Sequence, residues 1–277
     1  MSAPLRSILY VPGDRPDRFE KALASDADGV VLDLEDSVAA GAKVPARSAV
    51  AEFVRSPWQK PLFVRVNGLA SELTAADVNA LAGAPIAGIR APKVESTADV
   101  AAFARLADEA GLRVDLWCLL ESARAVELAY EIARSPRVAA IALGEADLVA
   151  SLGVRADEGL DYARARCVVA ARAAGRPAPM QAVYTTLGDE EGLRRSTEHG
   201  RALGFFGRMA IHPAQVGVIN DVFTPSAQEV AAAREAVDAA ASSGADAMPD
   251  GRFVDSAVVE QARLVLALAE RLSEATR

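Results

Sequence analysis

Cysteine and histidine are scarce in this sequence, which contains two residues of each type. Two cysteines cannot supply a multi-bridge disulfide framework. Cys118 and Cys167 stand in apolar or helical context, and we predict that both are buried free thiols rather than a disulfide or metal pair. No Ser/His/Asp or Cys/His set is readable, which argues against nucleophilic catalysis.

A net positive charge and long apolar runs are also absent. The net charge is −8 and no basic stripe is present, so we expect no nucleic-acid partner. No secretory signal and no membrane-spanning run is readable. We therefore expect a cytoplasmic protein with no membrane partner. Hydrophobic residues make up 51% and charged residues 25%, as in ordinary globular proteins.

Eight short apolar runs alternate with helical patterns along the chain. Such alternation is typical of parallel α/β folds. The runs are short and even, and GxGxxG is absent, so we predict a (β/α)8 TIM barrel rather than a doubly wound open sheet. The eight predicted strands are SILYVPG, GVVLDLEDSV, PLFVRVNGL, GIRAPKVES, RVDLWCLLES, RVAAIALGEAD, APMQAVYTT and GRMAIHPAQV.

The C-terminal part of the sequence has a different pattern. Two amphipathic helical segments, SAQEVAAAREAVDAAASSG and SAVVEQARLVLALAERLSEA, flank the turn-rich ADAMPDGRFVD. We predict a TIM-barrel catalytic domain over residues 1–222 and a C-terminal helical hairpin with a lid over residues 223–277. A plain surface hairpin is the alternative.

Two acids follow consecutive predicted strands: Glu121 after VDLWCLL and Asp147 after VAAIALG. Ligands of α/β folds bind at the carboxyl ends of parallel strands. Two carboxylates converging there, without Cys or His, suit Mg²⁺, which typically takes one or two carboxylates and completes its shell with water and substrate oxygens. The alternative is that both acids cap helices or occupy first turns.

Polar residues stand at the ends of most predicted strands. Arg65 lies inside FVRVNG, where a charged residue is rarely buried without a partner. We expect it to meet an anion, either an internal carboxylate such as Asp33 or Glu121, or a substrate carboxylate. The other polar residues of this set are Glu35, Asp36, Asn67, Lys93, Glu95, Asp147 and His212.

Two of these residues have a plain interpretation. Lys93 stands close to Glu95, which favours an ordinary ion pair over a Schiff base. His212 precedes Pro213, and we expect a structural or hydrogen-bonding role for it. Neither Lys93 nor His212 is predicted to be a catalytic residue.

An ordered series of motifs resembles a known family over nearly the whole chain. The motifs are RSILYVPGDRPDRFEKA, GVVLDLEDSV, FVRVNG, PKVES, ESARAV, DEEGL, GFFGRMAIHPAQV and FTPS. Together they resemble citrate lyase β-subunit-like proteins of the HpcH/HpaI aldolase/citrate lyase group. The resemblance implies a TIM barrel, Mg²⁺ and the cleavage or formation of a carbon–carbon bond in a 3-hydroxyacyl thioester.

The same resemblance implies roles for particular residues. Arg65 and Glu121 match the catalytic, substrate-binding positions of the family, and Glu121 and Asp147 match its metal ligands. The family's acidic loop often reads glycine, a small residue, glutamate, aspartate. Here the order is Gly144, Glu145, Ala146, Asp147, so the auxiliary glutamate is displaced by one residue.

The segment GRFVDSAVV resembles the family's C-terminal lid, in which an aspartate reaches the active site of an adjacent subunit. The matching residue is Asp255, whose alternative role is the N-terminal cap of the last helix. The resemblance therefore implies a third catalytic residue, acting in proton transfer across an interface, and a homotrimer or a dimer of trimers.

The function that follows is a Mg²⁺-dependent lyase whose partners are a small-molecule CoA thioester and a 2-oxo acid. One alternative is an HpcH-type aldolase acting on free 4-hydroxy-2-oxo acids. Another is a non-autonomous subunit of a lyase complex that binds an acyl-carrier partner.

Overall fold

The computed structural model describes residues 5–243 and 256–275. The chain forms two compact units, one over Arg6–Asn220 and one that contains the described residues from Asp221 onward. Compactness does not assign a role to either unit. The predicted division into a catalytic domain (1–222) and a lid-bearing extension (223–277) therefore stays a prediction.

The larger unit is an α/β structure built on one curled, all-parallel sheet of seven strands. The first six strands are neighbours in chain order, and the seventh pairs with the first. The strands are almost wholly buried, because helices cover a parallel sheet. The strands are β1 (Ser7–Pro12), β2 (Gly29–Asp33), β3 (Leu62–Arg65), β4 (Gly88–Ala91), β5 (Leu116–Leu120), β6 (Val138–Leu143) and β7 (Arg208–Ala210).

Seven of the eight predicted strands belong to this sheet, whereas APMQAVYTT forms only an isolated parallel bridge between Gln181 and Arg208. Pro179 accepts a bond from the Phe206 N–H, and the Gln181 N–H donates to the Gly207 carbonyl. Proline has no N–H to donate to a ladder, so Pro177 and Pro179 shorten the pairing here. The strand predicted at this point is reduced to a few residues.

Twelve α-helices lie in the described ranges. Most follow a strand of the sheet, as expected of parallel β-α units. They are α1 (Phe19–Leu23), α2 (Lys43–Phe53), α3 (Thr74–Ala80), α4 (Thr97–Glu109), α5 (Ala123–Glu127), α6 (Ala129–Arg134), α7 (Glu145–Leu152), α8 (Asp161–Ala173), α9 (Glu190–Leu203), α10 (Pro213–Phe223), α11 (Ala227–Ser243) and α12 (Ser256–Ala275).

In the smaller unit, α11 and α12 pack against each other. Their contact contains buried Ala233, Ala236 and Ala262, with Val237 and Val265 packed around them. Small residues allow two helix backbones to approach closely. The predicted lid between the helices lies outside the described residues.

Both cysteines lie in the interior of the larger unit. Cys118 and Cys167 are buried free thiols, as predicted, and burial raises the pKa of both. Neither is therefore a ready nucleophile. None of the helices in the described ranges is long and apolar enough to cross a membrane.

Strand register places four charged or aromatic residues side by side. Asp33 pairs with Arg65, Arg65 with Arg90, and Arg90 with Trp117, across four neighbouring strands. Register partners in a parallel sheet point to the same face. This layer of the interior is therefore rich in charge.

Candidate active site

A cavity of about 880 Å³ opens at the carboxyl ends of the strands. Its lining includes residues of β1 to β7 and of the segment around Tyr184. This volume lies within the usual range of small-molecule sites. Arg65, Glu121 and Asp147, the predicted site residues in the described ranges, all line it.

Asp33 and Arg65 form a bidentate ion pair at the ends of β2 and β3. Arg65 Nε donates to Asp33 Oδ1 at 2.7 Å, and Arg65 Nη2 donates to Oδ2 at 2.6 Å. The backbone N–H groups of Glu35 and Ser37 also donate to this carboxylate. Burial alone would raise the pKa of Asp33, but Arg65 outweighs it and lowers that pKa. The internal partner considered for Arg65 is thus present.

Glu35 extends this paired cluster. Its carboxylate lies 3.0 Å from Arg65 Nη1 and accepts a 2.6 Å bond from Lys93 Nζ. Burial raises the pKa of Glu35, although the positive charges of Arg65 and Lys93 oppose the rise. The expected pairing of Lys93 with Glu95 is wrong, because Lys93 has a left-handed backbone (φ 54°) and its side chain meets Glu35 and Asp36 instead.

Glu121 directly follows β5 and is buried at 7% exposure. Its Oε2 has no hydrogen-bond partner among the described residues. Burial, followed by the negative charges of Glu35 and Asp147, raises the pKa of Glu121 to about 8. Ser122 caps α5 by accepting from the Ala125 N–H, so Glu121 is not the helix cap. The site thus disfavours the charged form of Glu121, and a bound cation would favour it again.

Gly144 makes room for Glu121. A Cβ on Gly144 would lie 2.5 Å from the Cγ and the Oε1 of Glu121, a distance that real side chains do not tolerate. The loop after β6 therefore approaches this carboxylate more closely than any other residue type would allow. The site depends on that glycine.

Asp147 lies in the first turn of α7, as one alternative for it proposed, and its side chain is exposed and lines the cavity. Within the described ranges, no three His, Cys, Asp or Glu side chains form a metal-binding group. Mg²⁺ commonly takes only one or two protein carboxylates. Glu121, with its unpartnered buried oxygen, and Asp147 fit such an ion.

Glu145, the displaced glutamate of the acidic loop, points to Arg164. Arg164 Nε and Nη2 donate to its two carboxylate oxygens at 2.9 and 2.8 Å. Arg164 also binds Asp157 and Asp161, and Asp161 lies 2.9 Å from His199 Nε2. Sequence reasoning missed this network: Asp157, Asp161 and Arg164 are close in the chain, but Glu145 and His199 join them only through the fold.

Two buried arginines on the strands were also missed. Arg90 on β4 is 1% exposed and lines the cavity, with its Cζ 5.8 Å from the Tyr10 ring centroid. Arg208 on β7 donates to the hydroxyls of Ser196 and Thr197, and burial lowers its pKa to about 10. Both arginines could have been found in the sequence, because each is a charged residue inside an apolar run, the same signal that identified Arg65.

The remaining predicted site residue, Asp255, lies outside the described residues. His212 is exposed, and its Nδ1 accepts a 3.2 Å bond from the Ala214 N–H, in line with a local hydrogen-bonding role. The catalytic, substrate-binding and metal-binding roles of Arg65, Glu121, Asp147 and Asp255 stay predictions.

The sequence profile of the HpcH/HpaI aldolase/citrate lyase family matches residues 6–213. The chain belongs to this family. Among the curated proteins, the chain is similar to an L-malyl-CoA/beta-methylmalyl-CoA lyase from Cereibacter sphaeroides, which is 38% identical over 98% of this chain and 96% of its own length. A citrate lyase subunit beta-like protein from Deinococcus radiodurans is 36% identical over 96% of this chain and 99% of its own. The HpcH/HpaI family member described here is accordingly an enzyme, a carbon–carbon lyase.

The chain is also similar to a protein with a different named activity and to a solved structure. A (3S)-malyl-CoA thioesterase from Cereibacter sphaeroides is 37% identical over 98% of this chain and 96% of its own length. The structure of CitE from Mycobacterium tuberculosis with magnesium, acetoacetate and coenzyme A covers 97% of this chain and 98% of its own, at 34% identity and a TM-score of 0.85.

Proposed function

We propose that this enzyme is a Mg²⁺-dependent lyase that cleaves, or in reverse forms, a 3-hydroxyacyl-CoA thioester to give a short acyl-CoA and a 2-oxo acid. The observation that carries the proposal is the buried carboxylate of Glu121, whose Oε2 has no hydrogen-bond partner among the described residues, in a cavity at the carboxyl ends of the strands that Asp147 also lines. The names of the curated relatives support a CoA thioester as substrate and do not favour a free hydroxy acid.

In the proposed reaction, the 3-hydroxyl group loses its proton and the bond between C2 and C3 breaks. C3 becomes the carbonyl carbon of the 2-oxo acid, and the bonding electrons pass to the thioester as an enolate. A proton then adds at C2 to give the acyl-CoA. The site must therefore stabilise negative charge at the enolate and take part in proton transfer.

Glu121 and Asp147 would hold Mg²⁺. When bound, the ion supplies a Lewis acid for the oxygens of the 2-oxo acid. Arg65 would offset the charge that develops on carboxylate or enolate oxygens, and its bidentate bond to Asp33 fixes its orientation in advance. Asp255 is proposed to transfer the proton, from a neighbouring subunit of a homotrimer or a dimer of trimers.

The proposal includes the fold in its finer form. The bridge of Gln181 to Arg208 supports an eighth β-α unit next to β7, which would complete a TIM barrel. Helices α11 and α12 would then be the arms of the C-terminal hairpin that carries the lid. Mixing an Asp255→Ala protein with a Glu121→Ala protein should restore part of the activity by subunit exchange. A monomer by light scattering would contradict this assembly.

A second candidate, hydrolysis of the thioester, is favoured by the malyl-CoA thioesterase among the relatives. The two functions yield different products. A lyase releases a 2-oxo acid and leaves the thioester bond intact, whereas a thioesterase releases free CoA and leaves the carbon–carbon bond intact.

The decisive assay uses the purified chain, Mg²⁺ and malyl-CoA, with 2-oxo acid measured as its phenylhydrazone and free thiol measured with a thiol reagent. We expect 2-oxo acid without a matching release of CoA. Thiol release alone would replace the lyase by the thioesterase. Activity only after addition of an acyl-carrier partner would identify a non-autonomous subunit.

A further inference from the structure

Arg90 has a buried positive charge that nothing in the described part of the chain neutralises. Its Nε has no hydrogen-bond partner, and none of the described carboxylates forms an ion pair with it. The contact recorded for its guanidinium is the face of Tyr10, at 5.8 Å. An unpaired buried charge costs several kcal/mol, so such a residue needs a function that offsets the cost.

The neighbouring acids already have other partners. Asp33 is held by both sides of the Arg65 fork, and Glu35 lies between Arg65 and Lys93. Glu121 forms no ion pair with Arg90 among the described contacts, and we have assigned it to the metal. The charge of Arg90 is therefore available to a ligand in the cavity that the residue lines.

The interior is closed on the amino-terminal side of Arg90. Gly88 lies two residues earlier on the same face of β4, and a Cβ there would be 3.1 Å from Trp117 Cδ1. The ring of Phe63 on β3 also packs against Trp117, with the two ring centroids 4.7 Å apart. A group that reaches Arg90 must therefore enter from the cavity and be small.

Arg90 is also set apart from the proposed metal ligands. Its register partner on β5 is Trp117, four residues before Glu121. Four strand residues correspond to about 13 Å along the chain. The arginine side chain covers part of this distance, and its guanidinium makes no ion pair with Glu121. In the subsite proposed below, the ligand group beside Glu121 and the ligand group on Arg90 are different groups.

We propose that Arg90 is a carboxylate-binding subsite at the floor of the cavity, and that the substrate carries a second carboxylate besides that of its 2-hydroxy or 2-oxo acid group. A carboxylate is small, planar and matched to the two-pronged guanidinium. The inference rests on the proposed function, because it places both carboxylates in one hydroxyacyl thioester. The second carboxylate belongs either to the 2-oxo acid half or to the acyl half.

Calorimetric titrations with Mg²⁺ present can find the subsite without turnover. One pair of probes, pyruvate and oxaloacetate, differs by a carboxylate on the oxo acid, and acetyl-CoA and malonyl-CoA differ by one on the acyl group. We expect one dicarboxylate to bind about ten- to a hundredfold more tightly than its partner. The pair that differs identifies the half of the substrate.

Arg90→Met should abolish this preference, and Arg90→Lys should keep part of it, because the charge remains but the fork is lost. If wild-type enzyme prefers neither dicarboxylate, or if Arg90→Met retains the preference, the subsite does not exist. If Arg90→Met loses the preference but the wild-type enzyme turns over no thioester, the subsite is supported and only the proposed lyase reaction is refuted.

Thermal unfolding separates a binding role from a structural one. Arg47 is the matched control, since its Nε bonds Asp77 at 2.7 Å and it does not line the cavity. Without ligand, Arg47→Met should lower the melting temperature, whereas Arg90→Met should leave it unchanged or raise it. An Arg90→Met protein that melts as early as Arg47→Met, or fails to fold, would make Arg90 a structural residue and overturn the proposal.

Discussion

The two sides of the cavity treat buried charge differently. On the β2–β3 side, Asp33, Glu35, Arg65 and Lys93 form one continuous set of ion pairs. On the β4–β5 side, the buried atoms Arg90 Nε and Glu121 Oε2 have no hydrogen-bond partner within the described residues.

This difference distinguishes the side of the cavity that holds its side chains in place from the side that can bind a ligand. A paired charge is fixed in place and contributes orientation, whereas an unpaired buried charge lowers stability until a ligand of opposite sign arrives. The β2–β3 side can therefore hold Arg65 rigid. The β4–β5 side is the part that we expect to respond to ligands, with Glu121 receiving a cation and Arg90 an anion.

Glu121→Gln is expected to have the largest effect on activity, and it changes the side of the cavity whose buried groups lack partners. Turnover should fall roughly a thousandfold, about 4 kcal/mol, because the proposed metal ligand is lost. Asp147→Asn should act in the same direction. Both variants should bind Mg²⁺ more weakly by calorimetry, and unchanged Mg²⁺ binding in both would refute the metal assignment. The metal-free Glu121→Gln protein should melt at a higher temperature than wild type.

Asp33→Asn removes a partner from the ion-paired side of the cavity and should have the next largest effect, a loss of stability. It leaves Arg65 buried without its bidentate partner, and we expect the free energy of unfolding to fall by about 3 kcal/mol. Urea titration at pH 7 measures this. Asp17→Asn, in an exposed pair with Arg15, is the control and should change little.

The pH dependence of that loss has a defined sign. The folded-state pKa of Asp33 lies below its ordinary value of 3.8. Between these two values the unfolded chain binds more protons, so stability rises with pH. The contribution of Asp33 is thus complete above about pH 4 and disappears as the pH falls through the folded pKa. The free energies of unfolding of wild type and Asp33→Asn should converge at that pH. A difference that stays constant with pH would contradict an origin in the ion pair.

Arg65→Lys tests whether the scaffold also takes part in the reaction. A point charge cannot replace a planar fork that binds Asp33 through two nitrogens, so we expect turnover to fall about thirtyfold. The loss should be seen in kcat as well as in KM if the contact strengthens in the transition state. Near wild-type turnover with intact folding would make Arg65 a structural residue alone.

Gly144→Ala is the mildest change. The added methyl group must displace Glu121, and we expect Mg²⁺ affinity to fall about tenfold while the fold survives. Gly217→Ala is the control, because a Cβ on that residue of α10 meets nothing within 4 Å. Equal Mg²⁺ affinities in the two variants would show that the close approach of Gly144 to Glu121 has no consequence for binding.

Local patterns predicted much of this molecule. Apolar runs located the seven strands of the sheet, and acids after two of those runs located Glu121 and Asp147. Asp33 was named among the partners of Arg65 because a charge inside a strand must be neutralised nearby. Such signals depend on neighbouring residues, which the sequence displays directly.

Other features depend on tertiary geometry. Lys93 was paired with the wrong glutamate because the sequence does not reveal the left-handed turn at its backbone. The strand at Gln181 was overestimated, since two nearby prolines limit its ladder. Arg90 carried the same signal as Arg65, but no pattern in the sequence indicates that one arginine is paired and the other is not.

The aromatic contact below the two arginines gives the protein an optical reporter. Trp117 is one of two tryptophans, and the other, Trp58, stacks on Phe53. Trp117 is the register partner of Arg90, so its indole experiences the field of that guanidinium. An anion bound at the proposed Arg90 subsite would change this field and hence the emission wavelength. In a Trp58→Phe background, occupancy of the cavity floor can therefore be followed by fluorescence, without label or turnover.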